Sequence, residues 1–233
     1  MMGAPDNPFR QFVIVLAPFF LVAWPYYLND IYLIALSGTS NLTLLWLLDI
    51  LFYLLIPSVT LIFLYRRGRL AHVREGFRRP KNIAVTIGLA LALAIATHVV
   101  FTLHISPWLN WNGCCRTCSP YAFPRGRPWH FLTIVYAAVS AGVMEESVFR
   151  AHLLTLLEKF FAPHLHAARQ KQIAVFVTGC ALFALIHWCE GTGKLASAFL
   201  LGMIPAAIYL RTGNLWLPVL WHTMHDALAM HLA

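Results

Sequence analysis

The chain contains few charged residues. Only 11% of its 233 residues are Asp, Glu, Lys or Arg, whereas 60% are hydrophobic and the mean hydropathy is +0.68. These values lie far from the average of soluble globular domains and indicate a membrane protein. Acidic residues are scarcest, with nine Asp and Glu against 17 Lys and Arg, which leaves a net charge of +8. The basic residues stand in short blocks between apolar runs, as in cytoplasmic loops of membrane proteins, so we expect no nucleic-acid partner.

The sequence also lacks internal repeats, low-complexity segments and any break in composition that would mark a second domain. We therefore expect one all-α integral-membrane domain, a polytopic bundle of about seven transmembrane helices in a lipid bilayer. We divide it into N-terminal transmembrane helices in 1–110, an extracytoplasmic loop with cysteines in 111–130, and a transmembrane core in 131–233. The predicted spans approach the ~20 residues that cross a bilayer; they are 11–29, 42–65, 82–105, one that begins at 131, 172–189, 195–210 and 215–233.

The orientation follows from the basic segment RRGRLAHVREGFRRPK, residues 66–81, which contains seven Lys or Arg. Cytoplasmic loops are enriched in these residues, so we expect this segment to lie in the cytoplasm. Counting spans from there places the N-terminus and the stretch 158–171 in the cytoplasm, and 106–130 and the C-terminus outside. The expected location is a bacterial inner (plasma) membrane.

Three of the five cysteines, Cys114, Cys115 and Cys118, lie in the expected outer loop. A C-x-x-C pair can bind zinc, but no second pair or nearby His completes a site at the usual spacing. A disulfide among these cysteines is the alternative if that side of the membrane is oxidising.

Two adjacent acids and an arginine interrupt the apolar segment AGVMEESVFRAHLL, residues 141–154. An ionised side chain near the bilayer centre costs roughly 2.5–3.5 kcal/mol even on the mild insertion scale, so each group needs a partner or a purpose. Glu146 and Arg150 are four residues apart on one helical face and can neutralise each other. Glu145 points about 100° away and has no counter-ion on its own helix. The alternative is that this segment lies at the cytoplasmic interface with all three charges solvated.

Later spans contribute further polar groups. The motif FALIH places His187 one turn after Phe183, and HTMHD places His222 and Asp226 one turn apart on one helical face. Three spans that each carry an imidazole or a carboxylate are expected to meet, because each group would be costly alone. Glutamate together with histidine is also a combination that activates water.

In this order, the patterns E-E-x-x-x-R, F-x-x-x-H and H-x-x-x-N/D resemble the three signature motifs of the CPBP family. That family of glutamic-type intramembrane proteases contains the CAAX prenyl endopeptidases and the Abi-type, bacteriocin-processing and sorting-associated proteases. The resemblance covers roughly residues 130–233 and includes RTGNLWLPVLWH, residues 211–222, before the last motif. It implies a catalytic core over 131–233 and an endopeptidase that cleaves a membrane-embedded, lipid-anchored or C-terminally processed protein.

Carried over residue by residue, the resemblance implies a role for each motif residue. Glu145 would be the general base for the attacking water, and His187 would assist it. Glu146 and Arg150 would shape and hold the site. The implied catalytic residues are Glu145, Glu146, Arg150, His187, His222 and Asp226.

The last motif departs from the usual pattern of the family. His222 and position 226 would stabilise the tetrahedral oxyanion, but this chain has Asp226 where many relatives have Asn. An ionised carboxylate cannot donate a hydrogen bond to an oxyanion. Either Asp226 is protonated in its low-dielectric setting, or it accepts a hydrogen bond and orients His222, which is the assignment that we prefer.

Two alternatives stay open. Two Glu, two His and an Asp could form a zinc site with one open position, in which case Glu145, His187 and His222 would be the ligands; we expect no cofactor and keep zinc as the alternative. The alternative function is a non-proteolytic membrane protein of the same fold, such as an immunity or adaptor protein. A proton-coupled transporter is less favoured, because neither repeated halves nor broken helices are evident.

Overall fold

The computed structural model describes residues 7–36, 42–109 and 128–232, and almost all of these residues are helical. The α-helices are α1 (Pro8–Leu36), α2 (Leu42–Asp49), α3 (Ile56–Arg66), α4 (Ala71–Gly76), α5 (Ile83–Val100), α6 (Ser106–Leu109), α7 (Pro128–Glu145), α8 (Leu154–Phe161), α9 (Ala168–Ala184), α10 (Thr192–Thr212) and α11 (Trp216–Leu232). The π-helical segments are Ile50–Leu55, Phe101–Ile105 and Glu146–Leu153, and Leu185–Glu190 forms a 3₁₀ segment. The described ranges contain no β-strand, which confirms the predicted all-α fold.

Six helical stretches among the described residues are long and apolar enough to cross a membrane. They are Phe9–Leu28, Trp46–Arg66, Ile83–Ile105, His130–Phe161, Ala168–Trp188 and Thr192–Thr212. Helix α11 has 17 residues and completes the bundle by packing against α5 and α7. The predicted polytopic bundle is therefore confirmed, and the chain is an integral membrane protein.

Several helix boundaries follow from capping residues in the sequence. Asn82 has extended backbone angles and accepts a hydrogen bond from the backbone N–H of Val85 over 3.1 Å, which caps the N-terminus of α5. Gly213 ends α10 with a φ of +63°, a left-handed conformation that glycine adopts without steric cost. The chain therefore turns sharply between α10 and α11, and the last motif returns into the bundle.

Contacts between loops identify one end of the bundle. Nε2 of His164 lies 3.0 Å from Oε1 of Gln11, so the loop after α8 meets the start of α1. The backbone N–H of Leu215 donates to the carbonyl of Gly76 over 2.7 Å, which joins the α10–α11 turn to the basic segment 66–81. Alternate connections thus share one end, which we call the basic end, as expected for antiparallel spans.

At the opposite end of the bundle, the 3₁₀ segment contacts α1. Nε1 of Trp188 donates to the backbone carbonyl of Tyr27 over 2.9 Å. The loop with Cys114, Cys115 and Cys118 falls outside the described residues, so the disulfide considered there stays a prediction.

The continuous helix formed by α7, the π segment Glu146–Leu153 and α8 lies at the centre of the bundle. Every side chain from Glu146 to Leu153 is buried. The ring of Phe149 packs edge-on against Phe19 of α1 at 5.5 Å and against Phe183 of α9 at 5.4 Å. A span that is covered by neighbouring helices can keep polar groups away from lipid.

Helix α11 approaches this central helix closely. A Cβ atom placed on Gly142 of α7 would lie 2.2 Å from Oγ1 of Thr223 and 2.9 Å from the backbone oxygen of Val219. Any larger residue at position 142 would therefore push the two helices apart. This close crossing brings the last motif next to the two acids.

Candidate active site

Glu146 and Arg150 form an ion pair in the interior of the bundle. Both side chains have 0% exposure, and Nε of Arg150 donates to Oε2 of Glu146 over 3.0 Å. The guanidinium carbon also lies 4.3 Å from the centre of the Phe183 ring, a cation–π contact that compensates for part of the lost hydration. The pairing expected from the four-residue spacing is present. Neither side chain is exposed to solvent, whereas the interfacial alternative requires solvated charges.

The surroundings of Arg150 leave little space. Its Nη1 and Nη2 atoms are buried and make no hydrogen bond to the described residues. A Cβ atom on Gly202 of α10 would lie 2.7 Å from Cδ1 of Phe183 and 3.5 Å from Nη2 of Arg150. The guanidinium is fully buried, so the geometry supports a role in holding Glu146 rather than in binding substrate.

His222 of α11 reaches both acids. Its Nδ1 lies 2.8 Å from Oε1 of Glu146, and its Nε2 lies 3.7 Å from Oε2 of Glu145 and 3.4 Å from Oδ2 of Asp226. Because ionised carboxylates only accept hydrogen bonds, Nδ1 donates to Glu146. The two contacts of Nε2 are longer than ordinary hydrogen bonds, so this nitrogen is loosely held. In the imidazolium form, where both ring nitrogens carry a proton, it can donate to an incoming oxygen atom.

Asp226 lies between two imidazoles. One carboxylate oxygen faces His222, and the other lies 3.6 Å from Nδ1 of His225. The His225 ring stacks on Trp221 with centroids 5.4 Å apart and planes at 26°, which fixes its position. Asp226 therefore faces two imidazoles, but at these distances neither contact is an ordinary hydrogen bond.

Glu145 has a partner that the sequence did not predict. Tyr53, in the π segment Ile50–Leu55, donates its hydroxyl to Oε1 of Glu145, and the glutamate side chain is buried with 6% exposure. The available signal in the sequence is weak: Tyr53 follows Asp49 by four residues, so two polar side chains stand one turn apart in an apolar span. Nothing in that spacing relates them to a glutamate about 90 residues later in the chain.

His187 does not continue the regular helix α9, which ends at Ala184. It has φ −101° and ψ 21° within the 3₁₀ segment Leu185–Glu190, where the chain kinks. The rings of His187 and His222 both lie edge-on to Phe183, at 6.1 Å and 6.3 Å. The kink therefore leaves both imidazoles against the same aromatic ring.

Glu190 is a second partner that the sequence did not predict. Its Oε1 lies 2.5 Å from Nδ1 of His187, and its Oε2 lies 3.6 Å from Nζ of Lys194. Burial raises the pKa of Glu190, but the hydrogen bond to His187 and the Lys194 ammonium outweigh burial and hold that pKa below its ordinary value. The carboxylate thus fixes the proton of His187 on Nδ1, and Nε2 is the nitrogen left for chemistry.

Glu145, His187 and His222 are the ligands that the zinc alternative names. In the part of the chain that the structure describes, no three His, Cys, Asp or Glu side chains form a group that could hold a metal ion. Glu145, His187 and His222 each direct a potential ligand atom toward another protein side chain instead. These contacts leave the zinc alternative as a prediction, because a metal ligand commonly bonds a protein group through its other atom.

Residues 127–228 match the family model described as Type II CAAX prenyl endopeptidase Rce1-like. No significant match occurs among curated proteins or among solved structures. The matched segment contains all three motifs, from Glu145 to Asp226, whereas Tyr53 lies outside it. Over residues 127–228, less than half of its length, the chain is similar to the CAAX-type membrane proteases of the CPBP family.

Proposed function

We propose that this protein is an intramembrane endopeptidase that cleaves a membrane-embedded or lipid-anchored protein with water activated by Glu145 and His187. The observation that carries the proposal is the convergence of two buried glutamates on His222 inside a membrane-spanning bundle. The similarity of residues 127–228 to a protease family supports peptidase activity in general. The family's description as a CAAX prenyl endopeptidase favours a substrate whose C-terminal segment is lipid-modified.

In this proposal Glu145 is the general base. Tyr53 holds Oε1, so Oε2 takes the proton from a water molecule. The water oxygen then attacks the carbonyl carbon of the scissile peptide bond, and the carbonyl oxygen becomes an oxyanion. As the C–N bond breaks, Glu145 returns the proton to the leaving nitrogen, which yields one fragment with a new carboxylate and one with a new amine.

The two histidines act on opposite sides of this reaction. Glu190 keeps the proton of His187 on Nδ1, so Nε2 accepts a hydrogen bond from the attacking water and orients it. In this proposal His222 is an imidazolium with both ring nitrogens protonated. Glu146 accepts from its Nδ1–H, and the loosely held Nε2–H donates to the developing oxyanion. Removal of one such donor typically lowers kcat by about 10²–10³-fold.

The proposed location is a bacterial inner (plasma) membrane, with the N-terminus and the basic end in the cytoplasm. The support is the segment 66–81 with its seven Lys or Arg, since such residues accumulate on the cytoplasmic side.

The test is cleavage by the purified protein of tagged peptides that carry either a prenylated C-terminal cysteine or a transmembrane anchor. Wild type should release a shortened fragment, and Glu145→Gln should not. Glu158→Gln is the matched control, because Glu158 forms an exposed pair with Lys171 at 3.7 Å, at the basic end. Absence of cleavage by wild type, together with an unchanged cellular phenotype of Glu145→Gln, would favour the non-proteolytic alternative.

A further inference from the structure

Two π-helical segments meet at Glu145. Tyr53 lies in the segment Ile50–Leu55, and Glu145 immediately precedes the segment Glu146–Leu153. A π turn includes one extra residue, so it rotates the side chains that follow by about 100° relative to an α-helix. Both helices thus depart from α geometry where the hydroxyl and the carboxylate meet, and such departures are frequent at functional sites.

The ring of Tyr53 is held from α1. It packs edge-on against the ring of Tyr26 at 4.9 Å and 86°, and the Tyr26 hydroxyl donates to the backbone carbonyl of Tyr53 over 3.3 Å. Tyr26 is itself 1% exposed and packs against Phe149 of the central helix at 6.1 Å. The direction of the Tyr53 hydroxyl is therefore set by a buried aromatic contact, and that hydroxyl meets Oε1 of Glu145.

Resting on the function proposed above, we propose that Tyr53 is a positioning residue for the general base. By holding Oε1, it keeps Oε2 of Glu145 directed toward Nε2 of His222, at 3.7 Å. Without this hydroxyl the carboxylate can rotate about its Cγ–Cδ bond and turn either oxygen away from the water. The segment 127–228 alone thus lacks part of the active site, which the N-terminal helices supply.

The experiment compares two hydroxyl deletions. Tyr53→Phe removes the hydroxyl that touches Glu145 and keeps the ring. The matched control Tyr27→Phe removes another hydroxyl of the bundle, which donates to the backbone carbonyl of Leu182 over 2.9 Å. We expect kcat of Tyr53→Phe to fall on the order of 10–100-fold, with KM unchanged, because misplacement of a reacting group affects the transition state more than substrate binding. Tyr27→Phe should stay within about twofold of wild type.

A second measurement does not depend on cleavage. Infrared difference spectra in detergent, with Glu145→Gln as the reference, identify the carboxyl band of Glu145. Tyr53→Phe should shift this band and Tyr27→Phe should not. An unshifted band, or wild-type kcat in Tyr53→Phe, would overturn the positioning role.

The same pair of measurements separates the two proposals. If wild type cleaves nothing, the proposed function fails, and the infrared shift alone decides the contact with Tyr53. If Tyr53→Phe does not fold, the double variant Tyr53→Phe Glu145→Gln, which lacks the unpaired charge, should recover the wild-type melting temperature. No recovery would show that Tyr53 stabilises the fold by another route and would overturn the proposal.

Discussion

Arg150→Ala removes one member of a fully buried ion pair. Glu146 would remain in the interior with His222 as its hydrogen-bond partner, at 2.8 Å. Removal of one partner of a buried pair costs about 3–5 kcal/mol, and loss of the cation–π contact with Phe183 adds up to about 2 kcal/mol. Because the contact with His222 offsets part of this cost, we expect a net loss of about 3–5 kcal/mol. This corresponds to a melting temperature lower by roughly 10 °C, by the scaling of globular domains.

The assay is thermal unfolding of purified variants in one detergent. Arg150→Lys should be intermediate, because an ammonium group keeps the charge but not the planar contact with the ring. Glu146→Gln combined with Arg150→Ala should be more stable than Arg150→Ala alone, because no unpaired charge is left. Glu158→Ala, which breaks an exposed pair, should change stability by less than about 0.5 kcal/mol. A melting temperature for Arg150→Ala equal to wild type would refute the burial of this pair.

Three further variants test separate contacts. Asp226→Asn should lower kcat about tenfold if Asp226 is an acceptor, since the amide oxygen keeps one hydrogen bond. Full activity of this variant across about pH 5–9 would identify Asp226 as a protonated donor instead. Inhibition of the protein by a chelator would support the zinc alternative. Glu190→Gln should lower the melting temperature at neutral pH, because the pKa of Glu190 lies below its ordinary value and its contacts therefore stabilise the fold above about pH 4.3. This difference from wild type should vanish as the pH falls through the lowered pKa, and a difference that persists in acid would contradict the ionised pair. Gly142→Ala should lower stability by roughly 1–3 kcal/mol and should also lower activity, because the new Cβ atom would lie 2.2 Å from Oγ1 of Thr223. Gly88→Ala is the control, because no atom lies within 4 Å of a Cβ atom at that position.

The helical spans were predictable because, in a chain this hydrophobic, a long run without charged residues rarely forms anything other than a transmembrane helix. The span predicted at 82–105 agrees with Ile83–Ile105, and the span predicted at 172–189 agrees with Ala168–Trp188. The pairing of Glu146 with Arg150 was also predictable, since a buried charge needs a partner and four-residue spacing provides one.

The remaining contacts depend on geometry that periodicity does not encode. The π segment around Tyr53 has no repeat that separates it from an α-helix, and its partner Glu145 comes from another span. The 3₁₀ segment places Glu190 against His187 beyond the end of α9, where helical spacing no longer applies. Contacts between residues on different helices can be identified only from the packed structure.

The central claim is that Glu145 takes a proton from water. The most direct measurement is cleavage of a lipid-anchored peptide by purified Glu145→Gln, with membrane insertion and melting temperature recorded in parallel. The amide has nearly the same size but is not a base, so turnover should fall by at least about 10³-fold while insertion and stability stay near wild type. Retained turnover in a folded Glu145→Gln protein would contradict the assignment of Glu145 as the general base.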